Sequence, residues 1–381
     1  MPKINAKLAG YAFVQLVSVP VKFFVAFAAL ALSAISLNKA KWLLDKSEDW
    51  SSRLDGRASQ LEALKEEGGK NASDRDEYNK YKEWLYNIDP KLCVKKLCVK
   101  KDPYEFRTEI FQETLRVCET GYDFDGTHIQ IDNGKMLSET FTYTAHSPLT
   151  EAKKYETQFI VDSDDTLNVL VKLRQEGKNP VGINMANARH AGGGVERGCP
   201  AQEEAVCRRT NHFLGLKAQS YPLPEEGGIY CPHVQVFRND EAKDFTFMSA
   251  PQEVALVAVA AYDLRTKTVQ DRADLRLPLG HLTEDVLSKS EEYCTKTKNK
   301  IRNMLRVMAT QGHTHIVLGA LGCGAFQNPP RLMARLFQEV FKETEFAGCF
   351  EAVHFAILKI SKSDQANVDA FSQICLDLNQ S

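Results

Sequence analysis

Neither sign of charge dominates this chain: 48 Lys and Arg stand against 50 Asp and Glu, a formal net charge of −2. That balance excludes a bulk electrostatic pull toward nucleic acid, so no direct nucleic-acid partner is expected and an anionic ligand needs a local site. Paired cysteines are also missing. The ten Cys form no CxxC pair and no Cys/His spacing suited to zinc, and several sit in apolar runs, as reduced thiols do. The sequence holds neither a Gly-Lys-Ser/Thr phosphate loop nor a GxGxxG dinucleotide fingerprint. His190, His313 and His315 are not spaced as a metal set, so neither a metal nor another cofactor is called for.

What is present is unevenly distributed. The 381 residues are 43% hydrophobic, enough for a substantial core. Residues 1–37 contain a mostly apolar stretch from Gly10 to Leu37, uncharged after Lys22. A helical span needs roughly 20 apolar residues, and this stretch reaches that length with Lys22 at the interface. A membrane-anchoring helix at residues 10–37, holding a cytoplasmic catalytic domain, is one expectation; a secretory signal and a helix buried in a partner stay open beside it. Residues 38–101 are dense in charge, with sparse apolar positions such as Leu54, Leu61, Leu64 and Trp84, and are expected to form a helical stalk or linker. There KLCVK occurs twice in tandem, Lys91–Lys95 and Lys96–Lys100: a basic patch, or a duplicated exposed turn.

From Asp102 the texture becomes that of an α/β domain, 102–381. Helices are expected at Thr108–Thr120, Ser163–Gly177, Gln202–Phe213, Ser288–Gln311 and Arg331–Lys342, and strands at Thr127–Ile131, Val181–Ala186, Val234–Phe237, Val254–Ala261, His315–Ala320 and Ala352–Leu358. Such alternation argues for a largely parallel or mixed sheet covered on both faces, with ligands beyond the carboxyl ends of the strands.

Two glycine-rich turns lie where that rule places a ligand. The first runs from the strand at Val181 through Asn184 and Asn187, whose amides suit ribose hydroxyls, to Gly192, Gly193 and Gly194. Three glycines let the backbone approach a ligand and aim its amides at it. After seven intervening residues come Gln202, Glu203 and Glu204 at a helix start, where carboxylates are favoured and can face back toward the glycines. The second turn contains Gly319, Gly322, Cys323, Gly324 and Ala325 before a helix opened by Pro329 and Pro330, a strand-turn-helix unit suited to anions. Phe326 follows immediately and could cover a ribose face.

Together, GGG, seven residues and QEE resemble the signature of the microbial-type poly(ADP-ribose) glycohydrolases, a branch of the macrodomain superfamily. The resemblance extends through ETLRVCETGYDF, DSDDTLNVLVKLRQEG, YCPHVQVFRND and GALGCGAF, roughly Asp102 to Leu358. It implies a macrodomain-like three-layer α/β/α fold around a mixed sheet. It further implies that Gly192, Gly193, Gly194 and Gln202 line the ligand, that Gly319–Phe326 hold the diphosphate from the other side, and that Phe326 packs on the distal ribose. Glu203 and Glu204 would be the catalytic pair, with the second Glu as acid/base. The implied partners are ADP-ribose, poly(ADP-ribose) and ADP-ribosylated proteins. An arginine-linked mono-ADP-ribosyl substrate, or a reader without turnover, are the alternatives. Cleaving a ribose C1–O bond passes through an oxocarbenium-like state; one Glu can protonate the departing oxygen and then activate water, and this chemistry needs no metal.

Overall fold

Local capping sets the first element. Asp102 accepts the backbone N–H of Tyr104 and Pro103 occupies the first turn, so helix α1 (Pro103–Thr120) begins earlier than its apolar periodicity alone suggests. In this computed structural model the described residues are 102–150, 154–265, 269–278, 282–359 and 362–380. The hydrophobic stretch 10–37, the charged stretch 38–101 and the KLCVK repeat lie outside them. Among the described residues, no helix is long and apolar enough to cross a membrane.

After α1 come a hairpin, β1 (Tyr122–Phe124) and β2 (Thr127–Ile129), then α2 (Gly134–Glu139), β3 (Phe141–Tyr143) and β4 (Gln158–Asp162). Next are α3 (Thr166–Gln175), β5 (Pro180–Met185), α4 (Gln202–Arg209), α5 (His212–Lys217), β6 (Gly228–Arg238) and β7 (Phe247–Val259). The rest of the domain is α6 (Val269–Asp274), α7 (Glu284–Ser288), α8 (Glu291–Thr310), β8 (His315–Leu318), α9 (Pro330–Phe341), β9 (Ala352–Ala356) and α10 (Gln365–Asn379).

Seven strands form one mixed sheet in the order β3-β6-β7-β5-β8-β9-β4. β3, β6 and β7 pair antiparallel, and β7, β5, β8, β9 and β4 run parallel. The expected strand at Thr127 pairs only with β1, outside this sheet, because its partner is the neighbouring hairpin arm.

The two-residue period of the strands sorts side chains into two cores. Val181 and Ile183 of β5, Val257 and Val259 of β7, and Ile316 and Leu318 of β8 pack with Met304, Leu305, Phe337 and Phe371 from α8, α9 and α10. Leu256, Ala258 and Val317 point the other way, onto Leu167, Leu170, Val206, Phe213 and Leu216 from α3, α4 and α5. Each fully buried aliphatic side chain contributes roughly 1.5–3 kcal/mol relative to exposure. Gly182 faces α3, and a Cβ there would lie 2.5 Å from Leu170 Cδ1, so glycine sets the close seating of that helix.

Two expected helices prove to be broken. The stretch Gln202–Phe213 divides at Thr210, which takes extended backbone and bridges Val236 of β6. The stretch Ser288–Gln311 starts afresh at Ser290, whose hydroxyl accepts the N–H of Tyr293 to cap α8.

Candidate functional site: two glycine loops and a buried carboxyl pair

Because β5 and β8 are parallel neighbours, the loops that follow them leave the same edge of the sheet. The segment after β7, on the other side of β5, closes against the second loop: Leu264 N donates to Phe326 O at 3.0 Å, and the Arg265 guanidinium sits 5.4 Å over the Phe326 ring. These three segments frame the site.

Gln202 fixes the start of α4 to the end of β5. Its Oε1 accepts Met185 N at 2.8 Å and its Nε2 donates to Ile183 O at 2.8 Å, so the side chain is spent on joining strand to helix. The join carries the next two residues under the first glycine loop, where Glu203 is 3% and Glu204 7% exposed. Glu203 Oε2 accepts Asn187 N at 2.7 Å and its Oε1 accepts Gly192 N at 3.2 Å. Glu204 Oε1 accepts Gly194 N at 2.7 Å, while its Oε2 is buried with no hydrogen-bond partner.

Burial is the main force on Glu203, pushing its carboxyl up to about 8; the Asn187 N–H opposes the rise and the adjacent Glu204 charge adds to it. At neutral pH Glu203 is therefore mainly the neutral acid.

The triplet amides were expected to face a ligand. The structure turns those of Gly192 and Gly194 onto the carboxyls, and that of Gly193 onto His190 O at 3.0 Å. Gly193 has φ +57, and a Cβ on it would lie 2.7 Å from Glu204 Oε1 and 2.8 Å from Glu203 Oε2. Only glycine lets the chain pass over both acids at once. A cleft of about 360 Å³ adjoins this turn, lined by Gly193, His190, Arg197, Phe213 and Tyr221 among others.

The second loop is built differently. Gly322 (φ +72) packs against Ala261 and Asn328, and Asn328 Nδ2 donates to Tyr262 O and Gly322 O at 2.9 and 3.1 Å. Tyr293 on α8 donates to Asn328 Oδ1 at 2.8 Å, anchoring the turn to the core. Among the described residues, the N–H groups of Gly322, Gly324, Ala325 and Phe326 meet no protein acceptor. Gly324 and Ala325 are exposed, whereas Cys323 points inward and contacts Leu321 O through its thiol at 3.6 Å.

The Asn residues fare unequally. Asn187 lies at the loop mouth, its side-chain oxygen accepting the N–H groups of Arg189 and His190 at 2.8 and 3.0 Å. Asn184 is fully buried beside His212, with 3.1 Å between its Nδ2 and His212 Nε2, because alternate β5 residues face α3 to α5 rather than the mouth. Burial drives the His212 imidazole down to about 3, so it stays neutral. Sequence reasoning missed His212, Arg265, Asn328 and Tyr221, since their spacing from the glycine turns carries no motif. Among the described residues, no group of His, Cys, Asp and Glu could hold a metal ion.

A carboxyl pair is thus sunk beneath a glycine turn, beyond the carboxyl ends of the parallel strands of a mixed sheet. Residues 111–239 match the family of the microbial-type PARG catalytic domain. Among solved structures, the poly(ADP-ribose) glycohydrolase from Thermomonospora curvata is 26% identical with a TM-score of 0.60, the match covering 71% of this chain and 99% of that one. The same enzyme bound to the inhibitor ADP-HPD gives 26% and 0.58, over 71% and 99%. The Deinococcus radiodurans enzyme in complex with ADP-ribose gives 25% and 0.52, over 68% of this chain and 100% of that one. No curated protein matches. The resemblance to the microbial-type poly(ADP-ribose) glycohydrolases, and the α/β/α fold it implies, are thereby borne out.

Proposed function

We propose that this chain releases ADP-ribose from poly(ADP-ribose) or ADP-ribosylated proteins, with Glu204 as the acid/base. One observation supports Glu204 over Glu203. Both oxygens of Glu203 are tied to backbone amides, whereas Glu204 is held through Oε1 alone and keeps Oε2 unpartnered. A buried oxygen without a partner carries a cost that a substrate oxygen can relieve. In the reaction, the proton held by the Glu203–Glu204 pair reaches the departing oxygen through Glu204 as the C1–O bond breaks, and the electron pair of that bond leaves with the oxygen. The Glu204 carboxylate then takes a proton from the water that attacks C1. Glu203, tied to Asn187 N and Gly192 N beneath the same turn, orients the ribose, and the unpartnered amides of the second loop receive the diphosphate. That the similar glycohydrolases bind ADP-HPD and ADP-ribose supports ADP-ribose as the ligand class.

Incubating the full chain with poly(ADP-ribose) and, separately, with an arginine-ADP-ribosylated protein tests the reading. Free ADP-ribose released from the polymer supports it, release from the arginine-linked protein alone would change the linkage, and tight ADP-ribose binding without release from either would overturn it in favour of a reader.

A further inference from the structure

Helix α4 ends with two consecutive arginines whose surroundings differ sharply. Arg209 is fully engaged: Nη1 contacts both Asp165 oxygens at 2.9 and 2.8 Å, Nη2 donates to Asn168 Oδ1 at 2.7 Å, and Nε donates to Arg238 O at 3.2 Å. It joins α4 to the start of α3. Arg208 is 0% exposed and its guanidinium lies 5.8 Å from the Phe245 ring centroid, yet only Nη1 finds a hydrogen-bond acceptor, Cys199 O at 2.8 Å; Nε and Nη2 are buried without one. A buried guanidinium with two idle donors is a poor device for stability alone, because each desolvated N–H without an acceptor opposes folding.

The position of Arg208 suggests what offsets that cost. It lies four residues after Glu204, on the same face of α4. Both side chains retain unpartnered polar atoms of opposite kind, Oε2 on Glu204 and Nε and Nη2 on Arg208. They are also linked by a closed circuit: Arg208 Nη1 donates to Cys199 O, Cys199 N donates to Gly194 O at 3.2 Å, Gly194 N donates to Glu204 Oε1, and α4 returns to Arg208. Gly194 has no room for a side chain in this circuit, since a Cβ there would lie 2.5 Å from Cys199 Sγ.

We infer that Arg208 is a positioning residue for Glu204, holding the Gly194 amide on the carboxyl through Cys199 and facing the negative charge of the Glu204 carboxylate. This rests on the ADP-ribosyl hydrolase reading above. The Glu204 charge acts on Arg208 and partly offsets the fall in guanidinium pKa, to about 10, that burial causes. Arg208 touches no substrate and acts only through Glu204, so its loss leaves ligand binding intact and slows turnover.

The test compares the wild-type chain with Arg208→Gln, Arg208→Met and Arg208→Lys. Each is assayed for ADP-ribose affinity by calorimetry and for kcat on poly(ADP-ribose). The neutral variants are expected to bind ADP-ribose with wild-type affinity and to lose about 10²-fold in kcat, the scale of a small misplacement of a catalytic group. Arg208→Lys, which keeps the charge and can still donate to Cys199 O, recovers most of that loss. Either neutral variant decides the matter should the other fail to fold. A folded neutral variant with wild-type kcat, or a kcat loss that Lys leaves unrepaired while affinity falls in parallel, overturns the positioning role. An inactive wild-type chain instead overturns the hydrolase reading itself, and the role of Arg208 with it.

Discussion

The two glycine loops share composition, flank the same sheet edge and do opposite things with their amides. After β5, Gly192 and Gly194 direct their N–H groups inward to Glu203 and Glu204. After β8, Gly322, Gly324, Ala325 and Phe326 leave theirs without protein acceptors among the described residues. Glycine is needed in both because the chain must turn where a Cβ would collide, but the colliding group differs. At Gly193 it is the carboxyl pair; at Gly322 it is Asn328 and Ala261. In the proposed function, one loop shapes an acid and the other receives an anion.

That division can be broken one side at a time. The largest effect is expected from Gly193→Val, which puts a branched side chain within 3 Å of both carboxyls at a positive φ. It should lower kcat by at least about 10²-fold by displacing the acids, and weaken ADP-ribose binding as well. Unchanged kinetics would mean that the first loop does not shape the acids. Gly322→Ala strains the second loop at φ +72 against Asn328, with a cost on the order of 1–3 kcal/mol. ADP-ribose affinity measured by calorimetry should fall about tenfold or more, with kcat much less affected; a loss confined to kcat would reverse the assignment of the two loops.

A smaller effect comes through pH. The Glu203 carboxyl lies at about 8 in the folded chain against an ordinary value of 4.5. A raised value means that its contribution to stability is complete below about 4.5 and is lost as pH rises through 8. The thermal midpoint of the wild-type chain should therefore fall more steeply between pH 5 and pH 9 than that of Glu203→Gln. Parallel slopes would show that the Glu203 proton is not held by folding. Smallest of all is Gly324→Ala: a Cβ there meets nothing within 4 Å, so stability should change by less than about 0.5 kcal/mol.

Much of this was legible in the sequence because periodicity and motif spacing are local signals. The parallel strands, the two glycine turns and the seating of Glu203 and Glu204 beneath the first of them follow from apolar runs and the GGG-to-QEE interval. Features that depend on distant partners were not legible. Thr210 interrupts an otherwise periodic helix because it bridges Val236, and β4, five residues long after a polar stretch, gains its identity from pairing with β9. Asn184 reads as a ribose contact until the strand's alternation sends it inward to His212. Nothing in the dipeptide Arg208-Arg209 tells which side chain finds a full set of acceptors.

The most direct test of the account is Glu204→Gln, measured for both ADP-ribose affinity and release of ADP-ribose from poly(ADP-ribose). Affinity should persist while turnover falls by about 10²–10⁴-fold, the usual range for a general acid/base. Turnover at the wild-type rate in a variant that still binds ADP-ribose would contradict the assignment of Glu204.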